Sequence, residues 1–196
     1  SSDVCSSDLD YGKKIKVGHG GTLDKDAEGL MIIGIGKGTK LLGNHLKGNK
    51  VYQAIGILGI ETETYGKGKI VEEMEYDHIT KEMMEKTIRK FIGKIKQIPP
   101  LYSALKIKGK RASDLAREGK KIDMKFKKRE IDIYSIDLID FSLPKFTIKV
   151  KCGGGTYIRS LIHDIGKELQ CCAYMDSLIR LEQGKFKLGN AIKLDK

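Results

Sequence analysis

The stretch VGHGGTLDKDAEGLMIIGIGKGTKLL, residues 17–42, joins a glycine-rich segment to a nearly continuous apolar run. The run from Leu30 to Ile35 predicts a strand buried on both faces, because a strand with one solvent-exposed face would alternate apolar and polar residues. The segment from Thr39 to Leu46 predicts a short helix. Residues 18–29 are therefore expected to form a loop that enters a buried strand.

This loop carries an imidazole and a carboxylate within six residues. His19 and Asp24 lie among Gly18, Gly20 and Gly21, and glycines allow a ligand to approach the backbone closely. The composition is typical of an active site. The residues alone also allow a tight structural turn in which Asp24 caps the backbone.

Several strands are predicted outside this stretch. Alternating or continuous apolar residues indicate strands over 51–60, 131–138 and 146–150. The segment 177–188 predicts a strand, a turn at Gln183 and Gly184, and a final strand.

Three further helices are predicted between these strands. One runs from Met84 to Ile92 and is expected to end at Gly93. A shorter helix is expected near 112–119, and another over 158–169, with Thr156 as its cap. Strands mixed with separate helices favour an α+β layer over an alternating parallel sheet.

The charge balance favours a polyanionic partner. The 196 residues include 37 Lys and Arg against 26 Asp and Glu, a formal net charge of +11, and such a field attracts nucleic acid. A basic stretch at 120–128 is either a phosphate-binding surface or a solvated face. Surplus lysine that serves only solubility is the alternative reading of the composition.

Residue spacing excludes several kinds of site. The four histidines lack the i, i+4 pairing of a zinc-protease helix, and the four cysteines lack CxxC spacing, so no metal site is predicted and reduced thiols are expected. GxSxG, GxxxxGK[ST] and GxGxxG are absent, which argues against acyl transfer and nucleotide binding. No apolar run approaches the length of a membrane span, and no membrane partner is expected.

Four blocks together carry a resemblance to a known family. They are VGHGGTLDKDAEGLMIIGIGKGTKLL (17–42), KVYQAIGILGIETET (50–64), IPPLYSALKIKGKR (98–111) and CGGGTYIRSLIHDIGKEL (152–169). In this order they resemble the TruB-type tRNA pseudouridine synthases, and the forms GHGGTLD and CGGGxYIRSL are similar to the eukaryotic branch. The resemblance runs from about Val17 to about Leu188.

The resemblance implies an α+β pseudouridine synthase fold, in which helices flank a mixed, largely antiparallel sheet. It also implies a cofactor-independent isomerase, an intramolecular transferase that converts uridine 55 of the tRNA T loop to pseudouridine. Asp24 matches the family's essential carboxylate and Tyr52 its active-site tyrosine, which packs under the target base. Arg159 matches the arginine that would hold Asp24 ionised and oriented. The target base must flip, because a stacked base hides its glycosidic bond.

Four more positions match residues that bind the substrate in the family: His19, Lys40, Tyr157 and Leu178. His19 is expected to help hold the T loop open, and the other three are expected to line the pocket. Ordinary packing is the alternative for each match: Tyr52 as a strand residue, Arg159 as a helix-surface charge and Leu178 as core.

The resemblance also sets expectations for the chain boundaries. Residues 1–10 are expected to be a tail or artefact, and 11–196 to form one catalytic domain without the family's first strand and helix. Such a loss would expose sheet edge and core surface, so reduced stability is expected. Lys25 replaces a proline common in the family, residues 65–69 depart from its usual loop, and no RNA-binding module is expected after Lys187.

The expected partner is tRNA, bound through its T stem-loop, with messenger RNA as a further candidate substrate. The enzyme is expected to act as a monomer in the nucleus, the cytoplasm or the mitochondrion. Two alternatives are an RNA-binding or chaperone protein of the same fold with weak or lost catalysis, and a ribonucleoprotein subunit. A subunit would need a guide RNA or protein partners for activity.

Overall fold

The computed structural model describes residues 15–100, 102–103, 106–107, 110–111 and 128–193. In chain order the described strands are β1 (Val17–His19), β2 (Ala27–Gly29), β3 (Ile33–Ile35), β4 (Lys50–Leu58), β5 (Ile60–Thr62), β6 (Ile70–Glu73), β7 (Gly93–Gln97), β8 (Lys106–Ile107), β9 (Lys110–Arg111), β10 (Arg129–Ser142), β11 (Lys145–Cys152), β12 (Ala173–Gln183) and β13 (Phe186–Lys187). The described α-helices are α1 (Leu42–Leu46), α2 (Lys81–Arg89) and α3 (Ile158–Glu168). The tail at 1–10, the helix predicted near 112–119 and most of the basic stretch lie outside the described residues.

A seven-stranded mixed sheet forms the centre of the fold. Its strand order is β13-β12-β4-β11-β10-β7, and β2 also pairs with β12. The β2–β12 pair is parallel and the other pairs are antiparallel. The predicted α+β class and the mixed, largely antiparallel sheet are confirmed.

Helices α2 and α3 share one hydrophobic core with the sheet. Leu161, Ile162 and Ile165 of α3 are fully buried, as are Phe146 and Ile148 of β11. This burial explains the sequence patterns, because α3 repeats its apolar residues every three to four positions whereas β11 alternates. None of the described helices is long and apolar enough to span a membrane.

The predicted strand at 30–35 differs from the structure. Only Ile33–Ile35 forms a strand, and it pairs with β1 in a separate two-stranded sheet. Ile35 is 58% exposed, so the expectation of a strand buried on both faces was wrong. The predicted loop at 18–29 likewise contains the end of β1 and all of β2.

Helix boundaries also depart from the predictions. The predicted cap Thr156 is wrong: Tyr157 is the N-cap residue of α3, and the Thr156 hydroxyl donates to the Gly153 carbonyl at 3.0 Å. Helix α2 ends at Arg89, and Gly93 begins β7 instead of ending the helix. The helix predicted over 39–46 begins as a 3₁₀ helix at Gly36–Leu41 and continues as α1.

The strands predicted over 51–60 and from 177 are present with shifted ends. The strand expected over 51–60 stops at Leu58 and resumes as β5 after Gly59, whose φ is 86°. The strand expected from 177 begins at Ala173 and includes Gln183. The sequence therefore located both strands, while the backbone turns fixed their ends.

Gly29 lets β2 lie directly against β12. Its φ is 106°, and a Cβ at this position would overlap the Arg180 carbonyl oxygen and lie 2.7 Å from the Arg180 nitrogen. The pairing of Gly29 with Arg180 thus requires a residue without a side chain. It fixes the C-terminal end of the segment that carries Asp24.

Gly29→Ala is expected to lower the free energy of unfolding by about 2–3 kcal/mol, because it adds backbone strain and a steric overlap. Urea denaturation followed by circular dichroism measures this change. Gly38→Ala is the matched control, because a Cβ at Gly38 meets no atom within 4 Å. Equal stabilities of the two variants would contradict the role given to Gly29.

Candidate active site

Asp24 lies in the connection between β1 and β2, at the edge of the central sheet. The Ala27 amide donates to the Asp24 carbonyl at 3.0 Å, which closes a turn. Ala27 then pairs with Leu178 in the parallel β2–β12 ladder. The carboxylate is thus mounted on a short turn held by the sheet, consistent with a site on a rigid element.

Arg159 binds the Asp24 carboxylate through two parallel hydrogen bonds. Nε donates to Oδ2 and Nη2 donates to Oδ1, each at 2.9 Å. The Arg159 side chain is 10% exposed and that of Asp24 is 40% exposed. A bidentate pair fixes both the distance and the plane of a carboxylate. The Asp24 carboxylate is therefore held in one orientation while it stays accessible to solvent.

The remaining donors of Arg159 hold two other segments. Nη1 donates to the Thr64 carbonyl at 2.9 Å, and Nη2 also donates to the Tyr102 carbonyl at 2.8 Å. Arg159 itself lies in the first turn of α3. One guanidinium therefore joins four segments of the chain around Asp24.

A cavity of about 360 Å³ opens beside this pair. The residues that shape it include Asp24, Tyr52, Tyr157, Arg159, Leu178 and Arg180. Among the described lining residues, Asp24 is the one carboxylate, against the four cationic side chains of Lys25, Lys50, Arg159 and Arg180. The cavity therefore favours an anionic ligand.

Tyr52 lies in β4 and is 8% exposed. Burial raises the pKa of its hydroxyl, while the positive charge of Arg180 opposes that rise. The phenol is therefore protonated at neutral pH, and its hydroxyl can donate or relay a proton within the cavity.

Gln97 holds the backbone of Tyr157 at the entrance to α3. Its Oε1 accepts from the Tyr157 amide at 2.8 Å, and its Nε2 donates to the Tyr157 carbonyl at 3.0 Å. Gln97 is 1% exposed. Burial also raises the pKa of the Tyr157 hydroxyl, so Tyr157, like Tyr52, is a neutral phenol.

Arg180 supports the Asp24 segment from the other side. It is 1% exposed, and its guanidinium donates to the carbonyls of Leu30 at 2.7 Å, Gly21 at 3.2 Å and Thr22 at 3.3 Å. Charged donors to buried carbonyls form strong hydrogen bonds. Arg180 thus fixes the segment that leads to Asp24.

Lys50 and Gln183 complete this support. Lys50 Nζ donates to the Leu46 and Gly48 carbonyls at 2.8 and 2.6 Å, and burial, reinforced by the charge of Arg180, lowers the pKa of Lys50. Gln183 Nε2 donates to the Gly20 carbonyl at 2.6 Å. Lys50 thus binds the backbone of Leu46, which lines the cavity, and Gln183 binds the residue before Gly21, which also lines it.

The structure brings together five of the seven predicted site residues: Asp24, Tyr52, Arg159, Tyr157 and Leu178. His19 and Lys40 lie outside this cavity. His19 pairs with Ile33 in the two-stranded sheet, and Lys40 is exposed on the 3₁₀ helix. Their roles in substrate binding stay predictions.

Sequence reasoning missed Arg180, Gln97, Lys50 and Gln183. Arg180 lies two residues after Leu178 on β12, and residues two apart on a strand share a face. That spacing was the available signal for Arg180. Gln97 had no comparable signal, because its partner Tyr157 lies 60 residues away.

Comparison with known proteins places these observations in context. The family model described as TruB family pseudouridylate synthase, N-terminal domain, matches residues 10–158. Pseudouridylate synthase TRUB1 of Mus musculus is 51% identical over 176 residues, which cover 89% of this chain and 52% of that protein. This chain thus spans about half the length of that curated relative.

A second relative and a solved structure are also similar to this chain. The tRNA pseudouridine synthase B of Clostridium kluyveri is 44% identical over 183 residues, covering 93% of this chain and 63% of that protein. A chain in the crystal structure of a Cbf5-Nop10-Gar1 complex superposes with a TM-score of 0.66 at 28% identity, covering 88% of this chain and 41% of that chain.

Arg180→Met is expected to lower the free energy of unfolding by about 3 kcal/mol, because three carbonyls lose a charged donor. Chemical denaturation measures the loss. Arg89→Met removes an exposed arginine at the end of α2 and should change stability by less than about 0.5 kcal/mol. A small effect at Arg180 would mean that its hydrogen bonds do not stabilise the fold.

Proposed function

Because the chain belongs to the TruB family of pseudouridylate synthases, we propose that it isomerises uridine in transfer RNA to pseudouridine. The T-loop uridine at position 55 is the proposed target. The observation that carries the proposal is the bidentate Asp24–Arg159 pair beside a cavity lined by Tyr52, Tyr157 and Leu178. These are the positions at which the chain resembles the family's functional residues.

The reaction exchanges one bond of the base for another. The bond from uracil N1 to ribose C1′ breaks, the base rotates, and a bond from C5 to C1′ forms. C5 loses its hydrogen and N1 gains one, so no oxidant or cofactor is needed. Asp24 supplies a carboxylate that either binds or stabilises the detached ribosyl centre, or takes part in removing the proton.

The cavity is suited to a single flipped nucleotide. Its volume of about 360 Å³ is near the lower end of the range for small-molecule pockets. Leu178 and the ring of Tyr52 offer apolar surface on which a base can pack. Extrusion of the base from the T loop is required, since side chains cannot reach its glycosidic bond inside a stack.

Positive charge supplies the attraction for RNA. The chain has a formal net charge of +11, and four cationic side chains surround the one carboxylate of the described cavity lining. Lys25 is exposed beside Asp24 and can contact a phosphate. Affinity for tRNA should therefore fall as salt rises.

Asp24→Asn is expected to abolish pseudouridine formation, because the amide keeps the shape of the carboxylate but loses its charge. The protein is incubated with an unmodified tRNA transcript, and pseudouridine is mapped by carbodiimide-blocked reverse transcription. The parent chain should give a stop at the T-loop uridine that the variant lacks. Filter binding should show that the variant still binds the transcript.

Asp137→Asn is the matched control, because Asp137 is exposed on β10 and outside the cavity. A transcript with cytidine in place of the target uridine tests the position. Product formation by Asp24→Asn at the parental rate would contradict the role of Asp24. Absence of product from a folded, RNA-binding parent chain would favour an RNA-binding protein with lost catalysis.

Arg159→Lys is expected to lower kcat/KM roughly a hundredfold, since a displaced catalytic group reduces the rate by about this factor. Lysine keeps the charge but cannot form the bidentate contact. Single-turnover rates and tRNA dissociation constants are compared with those of Arg89→Lys. A loss of tRNA binding without a loss of the single-turnover rate would contradict an orienting role.

A ribonucleoprotein subunit is a second candidate function. It is favoured by the similarity to a chain in a structure of an H/ACA RNP bound to a substrate RNA, at a TM-score of 0.62 and 25% identity. A stand-alone enzyme modifies tRNA without other components, whereas a subunit requires a guide RNA or protein partners. The incubation described above, carried out with purified protein alone, separates the two.

A further inference from the structure

A second cluster of polar side chains lies outside the candidate active site, where the β5–β6 hairpin meets the start of β12. Glu61 and Glu72 face each other directly in the antiparallel register of the hairpin. The Cys172 thiol lies beside them, and one donor atom of each residue lies within 4.8 Å of the other two. These residues are far apart in sequence, so spacing did not predict the cluster.

The cluster concentrates negative charge without a cation of its own. Like charges directly opposite in a strand pair are destabilising. Burial, together with the negative charges of Glu72 and Glu61, raises the pKa of the Cys172 thiol to about 11. Within the described residues, no Lys or Arg forms an ion pair with Glu61 or Glu72.

His163 of α3 places a buried nitrogen beside Glu61, at the edge of this three-residue cluster. The residue is 5% exposed, and its Nε2 has no hydrogen-bond partner among the described atoms. Nε2 lies 3.3 Å from Glu61 Oε1, while Nδ1 lies 3.2 Å from Asp164 Oδ1. With the hydrogen on Nδ1, bound to Asp164, the Nε2 lone pair faces the Glu61 carboxylate.

This arrangement is typical of a metal-binding histidine. A carboxylate at the second nitrogen sets the tautomer and orientation of such a ligand, as Asp164 does here. The Tyr65 ring stacks on the imidazole at a centroid distance of 3.7 Å and restricts its rotation. Two ligands bound about 2.0–2.2 Å from one tetrahedral ion lie roughly 3.3–3.6 Å apart, which agrees with the Nε2–Oε1 separation.

We propose that Glu61, Glu72 and Cys172 bind one divalent metal ion of the zinc type, and that His163, which contacts Glu61 but lies outside this three-residue group, moves in as the fourth ligand on metal binding. A thiolate, an imidazole and carboxylates are ligands that zinc accepts, and four protein ligands are typical of a structural site. The ion would neutralise the opposed carboxylates and would displace the thiol proton to solvent on binding. The evidence for this site does not rest on the proposed isomerase activity.

The metal would tie the hairpin to α3 next to the candidate active site. His163 follows Arg159 by one helical turn, and Arg159 donates to the Thr64 carbonyl within the hairpin connection. The Tyr65 carbonyl also accepts from the Met175 amide at 3.0 Å. Bound metal would therefore restrain the segment that helps to orient Arg159.

Cobalt titration tests the site on the chelator-treated 196-residue chain under reducing conditions. One equivalent of Co²⁺ is expected to produce a thiolate-to-cobalt charge-transfer band, and Zn²⁺ should remove that band by displacement. Zn²⁺ is also expected to raise the Tm above that of the chelator-treated protein. Neither measurement depends on tRNA or on catalysis.

Two pairs of variants localise the ion. Cys172→Ser should remove the charge-transfer band, whereas Cys171→Ser should keep it. Glu72→Gln should weaken Co²⁺ binding at least about tenfold, whereas Glu73→Gln should not change it. Glu72 and Glu73 are both exposed, so this second pair remains informative if the buried cysteine variants fail to fold.

Several results would overturn the proposal. One is a chain that shows no cobalt–thiolate band and an equal Tm with Zn²⁺ and with chelator. The contacts of His163 with Glu61 and Asp164 would then be contacts within the protein alone. A band that persists in Cys172→Ser, or equal Co²⁺ affinities of Glu72→Gln and Glu73→Gln, would place any bound ion elsewhere.

Discussion

The paired hydrogen bonds between Arg159 and Asp24 are the contact on which the candidate active site depends. The same guanidinium binds the carbonyls of Thr64 and Tyr102, so it determines the relative positions of segments that share no strand pairing with one another. Lysine could not replace it, since an ammonium lacks the planar set of donors that matches a carboxylate. The position of the carboxylate is therefore a property of the whole fold and not of its own turn.

A second buried guanidinium, that of Arg180, also stabilises the position of Asp24. Arg180 binds three backbone carbonyls on the N- and C-terminal sides of Asp24, while Arg159 binds its side chain. Both arginines lie on the cavity wall, so the groups that stabilise the site also make it positive. Structural support and attraction for an anionic substrate thus come from the same residues.

Local patterns in the sequence predicted those strands and helices that bury one face against the central core. The alternation of Phe146, Ile148 and Val150 and the helical spacing of Ile158, Leu161 and Ile162 located β11 and α3, because both elements bury one face against the same core. The prediction of a buried strand from Leu30 to Ile35 was wrong, because apolar content does not show whether a strand lies in the central sheet or in a small, exposed one. Thr156 misled because its hydroxyl binds the preceding turn.

The residues that line the candidate site were predictable from the sequence, whereas most of the residues that support it were not. The positions of Asp24, Tyr52, Arg159, Tyr157 and Leu178 followed from resemblance to a family, and the structure brings them to one cavity. Gln97 could not be recognised in the same way, since its partners are backbone atoms of a residue 60 positions away. Arg180 had only its spacing from Leu178 on β12 as a signal. Buried side chains that bind carbonyls and amides are visible only once the fold is known.

The long sequence separations in the site have a consequence for its biosynthesis. Asp24 and Arg159 are 135 residues apart, and Gln183 reaches back 163 residues to Gly20. A ribosome therefore releases the carboxylate long before it releases the side chains that orient it, and β12 must emerge before the Asp24 segment can dock. The nascent chain therefore acquires its complete cavity only after β12 has left the ribosome, because until then the Asp24 segment lacks the hydrogen bonds from Arg180 and Gln183.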